Sequence, residues 1–421
     1  MAAQFQLTAR RVTTPAGVAP CQLGESPTWD EERQTLWWVD IIGEALYVGQ
    51  PAPGSVGDFD RVAVVPLPGH RPGFVVHAAL PSKVADAVAA GRRSAVLHHA
   101  VWGSQAGLYY TICPSSLPWR TVGAVQRGPL RDASPASPPC YIAPFPQSLF
   151  PAQDGRVYRF NDGKVSPDGT LWCGGMMERT SAFPTRDPGS GALMQWDASA
   201  GISSRPSTAA AAAAAPDRAV QGFTVGVPTV TVSNGLGWSP AGDILYHVDT
   251  PAAVIRAHPY RAASAAAAAE PANPVGKGGK LAESYVYWAL PRELKERGAT
   301  LDGLCVDASG SVWVALAGIG EVVRLQARRV GVPVSLAVTI TGVVRVPDAS
   351  LTTSCCFGGE DLSTLYITTA RGTSAEAAEK CTQEGAGWVY AVNLEGIAKG
   401  MPASRLRLPS SIPTAGPLHH L

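Results

Sequence analysis

A chain of 421 residues can bury a large core, and a β-rich chain of that size can close as one domain. Its 34 basic and 33 acidic residues leave a formal net charge of +1, which gives no overall field to draw it onto nucleic acid or an anionic membrane. The 44 Gly and 36 Pro, with 11 Trp and 11 Tyr, argue against long helical arrays and for short strands joined by tight turns.

The first predicted element is Phe5-Gln6-Leu7-Thr8-Ala9, which alternates as a strand does. Residues 1 to 24 hold Arg10 and Arg11 and no acid, in the manner of a transit peptide, but they lack the apolar core of a secretory signal. No run reaches the ~18 apolar residues of a membrane span. With its N-terminus built into the fold, the protein is expected to be cytoplasmic, with a small-molecule partner and neither a nucleic-acid nor a membrane partner.

Further along, one pattern recurs: a polar turn, an aliphatic residue, an aromatic, then an alternating strand. It appears as EERQTLWWVD (31–40), SPDGTLWCGG (166–175), SPAGDILYHVD (239–249), DASGSVWVAL (307–316) and GEDLSTLYIT (359–368). The shared aromatics Trp37, Trp172, Tyr246, Trp313 and Tyr366 are separated by 135, 74, 67 and 53 residues. The first interval is about two units long, so a sixth unit is expected between residues 40 and 159, with RRSAVLHHAVWG (92–103) as its candidate. A second alternating strand follows each copy, as in ALYVGQ (45–50), GLYYTI (107–112), ALMQWD (192–197), AVIRAHPY (253–260), EVVRLQ (321–326) and WVYAVNL (388–394). Each unit is therefore at least a hairpin that cannot bury both faces alone, and such units stack radially. The expected fold is all-β, a six-bladed β-propeller forming one domain over residues 1–421. Biased segments around 113–154, 203–220 and 261–280, including the Ala209–Ala215 run, lack apolar periodicity and are expected to be disordered surface insertions.

The polar residues ahead of these strands share the register. Glu25 lies 12 residues before Trp37, Asn161 lies 11 before Trp172, Asn234 lies 12 before Tyr246, and Asp302 lies 11 before Trp313. Ser354 lies 12 before Tyr366. Equivalent places in successive blades share a radius and a height, so four oxygen-bearing side chains should converge at one mouth of the central channel. Singly, such residues in Gly-rich loops make turns and caps; the common register is what favours a shared site. Two carboxylates and two amides carry a charge of about −2 and offer hard donors, which suits one divalent cation: calcium first, with magnesium, manganese or zinc open.

Neighbouring polar residues receive plainer readings. Lys164 could reach the site but is expected to face solvent from a turn. Asp162 should brace that turn, Asp40 and Asp249 should cap their strands, and Ser354 should bond backbone. The eight cysteines are scattered without a CxxC pair and read as reduced, packed thiols, Cys355-Cys356 included. There is no GxSxG elbow, no HExxH and no Gly-rich phosphate loop. The pairs His98-His99 and His419-His420 form no ligand cluster, one because strand neighbours point to opposite faces and the other because it lies at the chain's end.

The segments LGESPTWDEERQTLWWVDI (23–41), RFNDGKVSPDGTLWCGGMM (159–177), TVSNGLGWSPAGDILYHVDT (231–250), LDGLCVDASGSVWVALAGIGEVVRL (301–325) and TTSCCFGGEDLSTLYIT (352–368) together resemble the SMP-30/gluconolactonase/LRE-like family. The resemblance implies a six-bladed propeller with one catalytic divalent metal, hydrolysing sugar lactones. It implies Glu25, Asn234 and Asp302 as metal ligands, and Arg159 and Asn161 as substrate contacts; since lactone hydrolysis needs an activated water, Asp302 is further expected to be the catalytic residue that orients or deprotonates it. Glu178 is the candidate for the family's further substrate-binding Glu, although the Met176-Met177-Glu178-Arg179 stretch departs from the usual pattern. Residues 51–158 match poorly, and the 113–154 insertion is expected to rim or cover the channel. The alternatives are another ester or phosphotriester hydrolase on the same propeller and a non-catalytic calcium-binding propeller.

Overall fold

The computed structural model describes residues 4–79, 98–113, 119–121, 139–150, 155–198, 222–262, 279–330 and 335–408. The period-2 segments pair into six antiparallel sheets, the blades of a β-propeller. In chain order the innermost strands are Gly24–Asp30, Phe74–His77, Tyr158–Val165, Ser233–Trp238, Thr300–Val306 and Leu351–Gly358. Each packs against the next, and the sixth packs against the first, so the ring is closed.

The repeated aromatics Trp37, Trp172, Tyr246, Trp313 and Tyr366 all lie on second strands and are buried. They are buried because the core lies between blades. Trp29 of blade 1 stacks on Tyr366 of blade 6 with ring centroids 5.6 Å apart, and Trp313 of blade 5 meets Phe357 of blade 6 edge-on at 5.7 Å. Two short helices, Arg292–Glu296 and Ala375–Glu379, lie in connections, and among the described residues no helix is long and apolar enough to cross a membrane.

The two chain ends tie the ring together. Phe5–Thr8, the expected first strand, runs parallel to Ser335–Arg345 at the rim of blade 5, and Arg10–Arg11 pairs with Tyr390–Asn393 in blade 6. Residues 403–407 cross blades 1, 2 and 3: Arg405 pairs with Asp30 at 2.8 Å, Leu406 N donates to His77 O at 2.9 Å, and Arg407 N donates to Gly169 O at 3.1 Å.

Several expectations need correction. The sixth unit is blade 2, and His98–Gly103 and Gly107–Cys113 are its second and third strands. Its inner strand, Phe74–His77, precedes the second by far more than a turn, and residues 80–97 between them lie outside the described residues. The constant spacing between inner strand and aromatic therefore fails in this one blade. Of the 113–154 insertion, Trp119–Thr121 extends blade 1 and Cys140–Pro144 completes blade 2, both as outer strands away from the channel. Residues 114–118, 122–138 and 151–154 of it, together with 203–220 and 263–278, lie outside the described residues. The polar RFNDGK stretch is itself inner strand rather than turn. Lys164 consequently points into the channel, where its Nζ donates to Leu304 O of blade 5 at 3.3 Å.

Five of the six inner strands share an irregularity. Register shifts interrupt the pairing between Glu25 and Thr28, Phe160 and Gly163, Asn234 and Leu236, Leu301 and Leu304, and Thr352 and Ser354. A bulge bends the strand and re-aims its side chains, and here it recurs at the same height in blade after blade. The backbones pass very close at that level. A Cβ on Gly235 would lie 2.6 Å from the Asp302 carbonyl oxygen and 2.8 Å from Leu304 N. Gly235→Ala should therefore cost on the order of 1–3 kcal/mol by forcing blades 4 and 5 apart. Urea denaturation of the two proteins measures the difference.

Candidate metal centre

The bulges place the site. In blade 1, Ser26 adopts φ 50°, a left-handed conformation that bends the strand directly after Glu25. Ser26 is fixed there because its Oγ accepts from Val75 N of blade 2 at 3.1 Å, and its own N–H donates to Glu25 Oε2 at 3.1 Å. In blades 3, 4 and 5, Asn161, Asn234 and Asp302 occupy the matching places.

A chain of hydrogen bonds runs across these three blades. Arg159, 4% exposed, donates from Nε to Glu178 Oε1 and from Nη1 to Asn161 Oδ1 at 3.0 Å. Asn161 Nδ2 donates to Asn234 Oδ1 at 3.1 Å and to Ser233 O at 2.9 Å. Asn234 Nδ2 donates to Thr250 Oγ1 at 3.0 Å, whose hydroxyl donates in turn to Leu301 O at 2.8 Å, one residue before Asp302. Each amide is thus held by both ends, which fixes which atom faces the channel.

The carboxylates are held against their own solvation. Glu25 and Asp302 keep some surface at the mouth but are otherwise surrounded by protein. Burial pushes Glu25 up to about 8, the Asp162 charge adds to the rise, and the Ser26 N–H and Arg159 oppose it. Burial also pushes Asp302 well above the ordinary carboxylate range, reinforced by Glu25 and Asp162, while the Asn234 amide and the Gly303 N–H pull the other way. Asp302 Oδ1 is buried with no hydrogen-bond partner. Two repelling, desolvated carboxylates, one of them with an orphaned oxygen and an oriented amide beside it, are a donor set that a hard divalent cation would satisfy.

Glu25, Asn234 and Asp302 are thus brought together, with Arg159 and Asn161 at their edge. Among the described residues no group of three or more His, Cys, Asp or Glu side chains is gathered for a metal. The fit accordingly rests on two carboxylates and an amide, and Asp162 stands outside it. Asp162 Oδ1 accepts from Gly163 N at 2.7 Å, bracing the bulge rather than a turn, while its charge reaches both Glu25 and Asp302. Asp40 caps as expected, accepting from Gln22 N and Leu23 N at 2.9 Å, and Asp249 accepts from Val232 N at 3.2 Å. Ser354 packs against Gly303, where a Cβ would lie 2.0 Å from the serine Oγ.

Glu178 is not free to meet a ligand by itself. Its Oε1 also pairs with Arg71 Nη1 of blade 2 at 3.1 Å, and these two guanidiniums hold its carboxyl below the usual range against its burial. Sequence reasoning missed Arg71 and Thr250. Arg71 precedes the inner strand whose spacing is broken, and Thr250 follows a strand end where a hydroxyl carries no signal.

The model of the family described as SMP-30/Gluconolactonase/LRE-like region matches residues 23–371. Regucalcin of Oryctolagus cuniculus is 30% identical over 256 residues, covering 59% of this chain and 67% of the rabbit protein. YvrE of Bacillus subtilis (strain 168), provisionally named a sugar lactone lactonase, is 26% identical over 381 residues, covering 89% of this chain and 91% of that one. The crystal structure of a calcium-binding protein, regucalcin, from Agrobacterium tumefaciens superposes with a TM-score of 0.60 at 20% identity, over 97% of this chain and 100% of the other, a likeness of fold.

An acid whose pKa is higher in the folded state binds its proton more tightly there. Stability of the metal-free protein should therefore fall as pH rises from about 4.5, the ordinary Glu value, through about 8. Glu25→Gln should flatten that slope, and a divalent cation, which binds the ionised form, should reverse it. Urea midpoints across that range, with chelator and with calcium, check both signs.

Proposed function

The chain belongs to the SMP-30/gluconolactonase/LRE-like family, and we propose that it is a divalent-metal-dependent hydrolase of sugar lactones. The observation that carries this reading is the pairing of Glu25 with Asp302, whose Oδ1 is orphaned, beside the buried Arg159 at one mouth of the channel. A metal buffer has no evident use for a rigidly braced guanidinium at its edge. An ester hydrolase does.

Glu25, Asn234 and Asp302 are the residues that would hold the ion, and their all-oxygen set favours calcium, with zinc, manganese or magnesium as alternatives. When bound, such an ion supplies Lewis-acid polarisation of a carbonyl and lowers the pKa of a water. The protein's own groups do the rest. Asp302 orients the attacking water and takes its proton at Oδ1, and burial raises its basicity toward that role. Arg159 is fixed through Nε and Nη1, which leaves Nη2 to meet the oxygen on which negative charge develops. Asn161, bonded on both sides, holds Arg159 and Asn234 in mutual register and offers its amide to a sugar hydroxyl. Glu178 acts through Arg159, whose guanidinium plane it sets. As the lactone opens, the ring oxygen leaves as an alcohol and receives the proton that Asp302 took from water, so water and lactone give a hydroxy acid.

Asp302→Ala should lower kcat for lactone hydrolysis by about 10²–10⁴-fold while leaving the circular-dichroism spectrum of the fold in place. Undiminished turnover in that variant would refute the assignment. A panel of aldonolactones, aryl esters and phosphotriesters, run on metal-stripped protein and after restoring calcium, manganese or zinc, locates the substrate class. Preference for the aryl or phosphotriester substrates would transfer the site to another ester chemistry. Cation-dependent stabilisation without any hydrolysis would mark a binding propeller.

A further inference from the structure

We infer that the lactone this site takes is anionic, carrying a carboxylate or phosphate group that an arginine-rimmed mouth above the metal ligands receives. The inference rests on the hydrolase reading of that mouth and names its substrate class.

Four guanidiniums meet there. Arg159 comes from the inner strand of blade 3, Arg71 from the approach to blade 2, and Arg179 and Arg186 from the connection between the second and third strands of blade 3, Leu171–Met177 and Gly191–Trp196. The one carboxylate bonded into the group is Glu178, whose Oε1 is shared by Arg159 and by Arg71, the latter at 3.1 Å. Arg186 is anchored by its Nε to Met177 O at 2.8 Å, a neutral partner. Burial, then Arg159, Arg179 and Arg71, lower its pKa to about 10 against the opposing charge of Glu178, which is consistent with the four guanidiniums lying close together. Arg156, the next arginine in the neighbourhood, is excluded from the surplus because Asp187 takes it at 2.8 Å.

Arg179 adds a geometric feature. It is exposed, yet its Nη2 donates to Thr373 Oγ1 at 3.0 Å, and Thr373 follows the second strand of blade 6. Blades 3 and 6 face each other across a six-membered ring, so this side chain reaches across the mouth. Its present partner is a single neutral hydroxyl.

The charges decide the ligand. Four guanidiniums against one carboxylate leave a surplus of about three positive charges, and the carboxylates deeper in the channel are the ones a dication would neutralise. A neutral polyol would cover these arginines without pairing them, at a cost in desolvation. A carboxylate or phosphate pairs with them through forked, charge-assisted bonds, and arginine rather than lysine is the residue whose geometry suits that contact.

The test uses the full, calcium-loaded chain and a neutral aldonolactone compared with one lactone bearing a carboxylate and one bearing a phosphate. One or other anionic lactone should have kcat/KM at least about tenfold above the neutral one, with the gap narrowing as salt is added. Which of the two leads identifies the anion. Arg179→Ala, exposed and therefore no threat to folding, should lower kcat/KM for the anionic lactone by about tenfold through KM and drive the anionic-to-neutral ratio toward one. Arg179→Lys should restore part of the ratio. Equal rates for neutral and anionic lactones, or a ratio that Arg179→Ala does not move, overturns the inference and leaves the hydrolase reading standing. A calorimetric titration with an open-chain sugar diacid separates the two readings. Binding that weakens about tenfold in Arg179→Ala, from a protein that hydrolyses no lactone, upholds the anion site and rejects the hydrolase reading.

Discussion

Two carboxyl groups with raised pKa values sit together at one end of a closed ring, and most of the structure serves to keep them there. Left alone, Glu25 and Asp302 would separate or move into water, because burial and mutual charge both penalise their ionised forms. What prevents it is the packing of six inner strands so tight that Gly235 and Gly303 admit no side chain. The repulsion is local, whereas the ring that resists it is held by aromatic contacts at five blade junctions and, between blades 4 and 5, by the packing of Tyr246, Val248 and Ile255 with Leu301, Leu304 and Val314. A site under such constraint is pre-organised for a positive charge, and the organisation cost falls on folding rather than on binding.

The bulge is the device that converts a sheet into a site. A regular strand sends alternate side chains to opposite faces, and in a propeller both faces are blade-to-blade packing. By inserting an unpaired residue near the mouth, the inner strand turns a polar side chain from that packing into the channel. Ser26, in a left-handed conformation and bonded to blade 2, shows the local form of this solution, and Asp162, bracing the backbone at Gly163, shows another. Because the bulge recurs at one height, four blades deliver Glu25, Asn161, Asn234 and Asp302 to a common level.

That recurrence also explains how far the sequence could be read. The propeller and its blade count followed from the repeated aromatics, which are repeated because each fills the same gap between blades. The level of the polar ring followed from counting back through a strand and turn of nearly constant length. Counting failed in blade 2, where residues 80–97 separate the inner strand from the second, and with it went Arg71. Lys164 was misread because Asp162-Gly163 looks like turn chemistry, whereas here the same pair makes a bulge and the strand continues through it. The arginines of the mouth lie on connections, whose positions no periodicity fixes. Register therefore reports what the blades hold in common, and specificity sits in what they do not.

The two ends of the channel are built for different purposes. At the end opposite the carboxylates, a pocket of about 280 Å³ is lined by His77, Lys164, Cys305 and Cys356 and bordered by Met401–Ser404. The C-terminal segment crosses that end and ties blades 1, 2 and 3 together through Arg405 with the buried Asp30, and through the backbone at His77 and Gly169. A buried ion pair of this kind contributes little net stability but fixes geometry, since breaking it strands a charge. With one end strapped by the chain itself, approach to Asp302 is left to the mouth spanned by Arg179. On the proposed reading, recognition and chemistry share that one opening, and the charge there would meet a ligand before the carboxylates do.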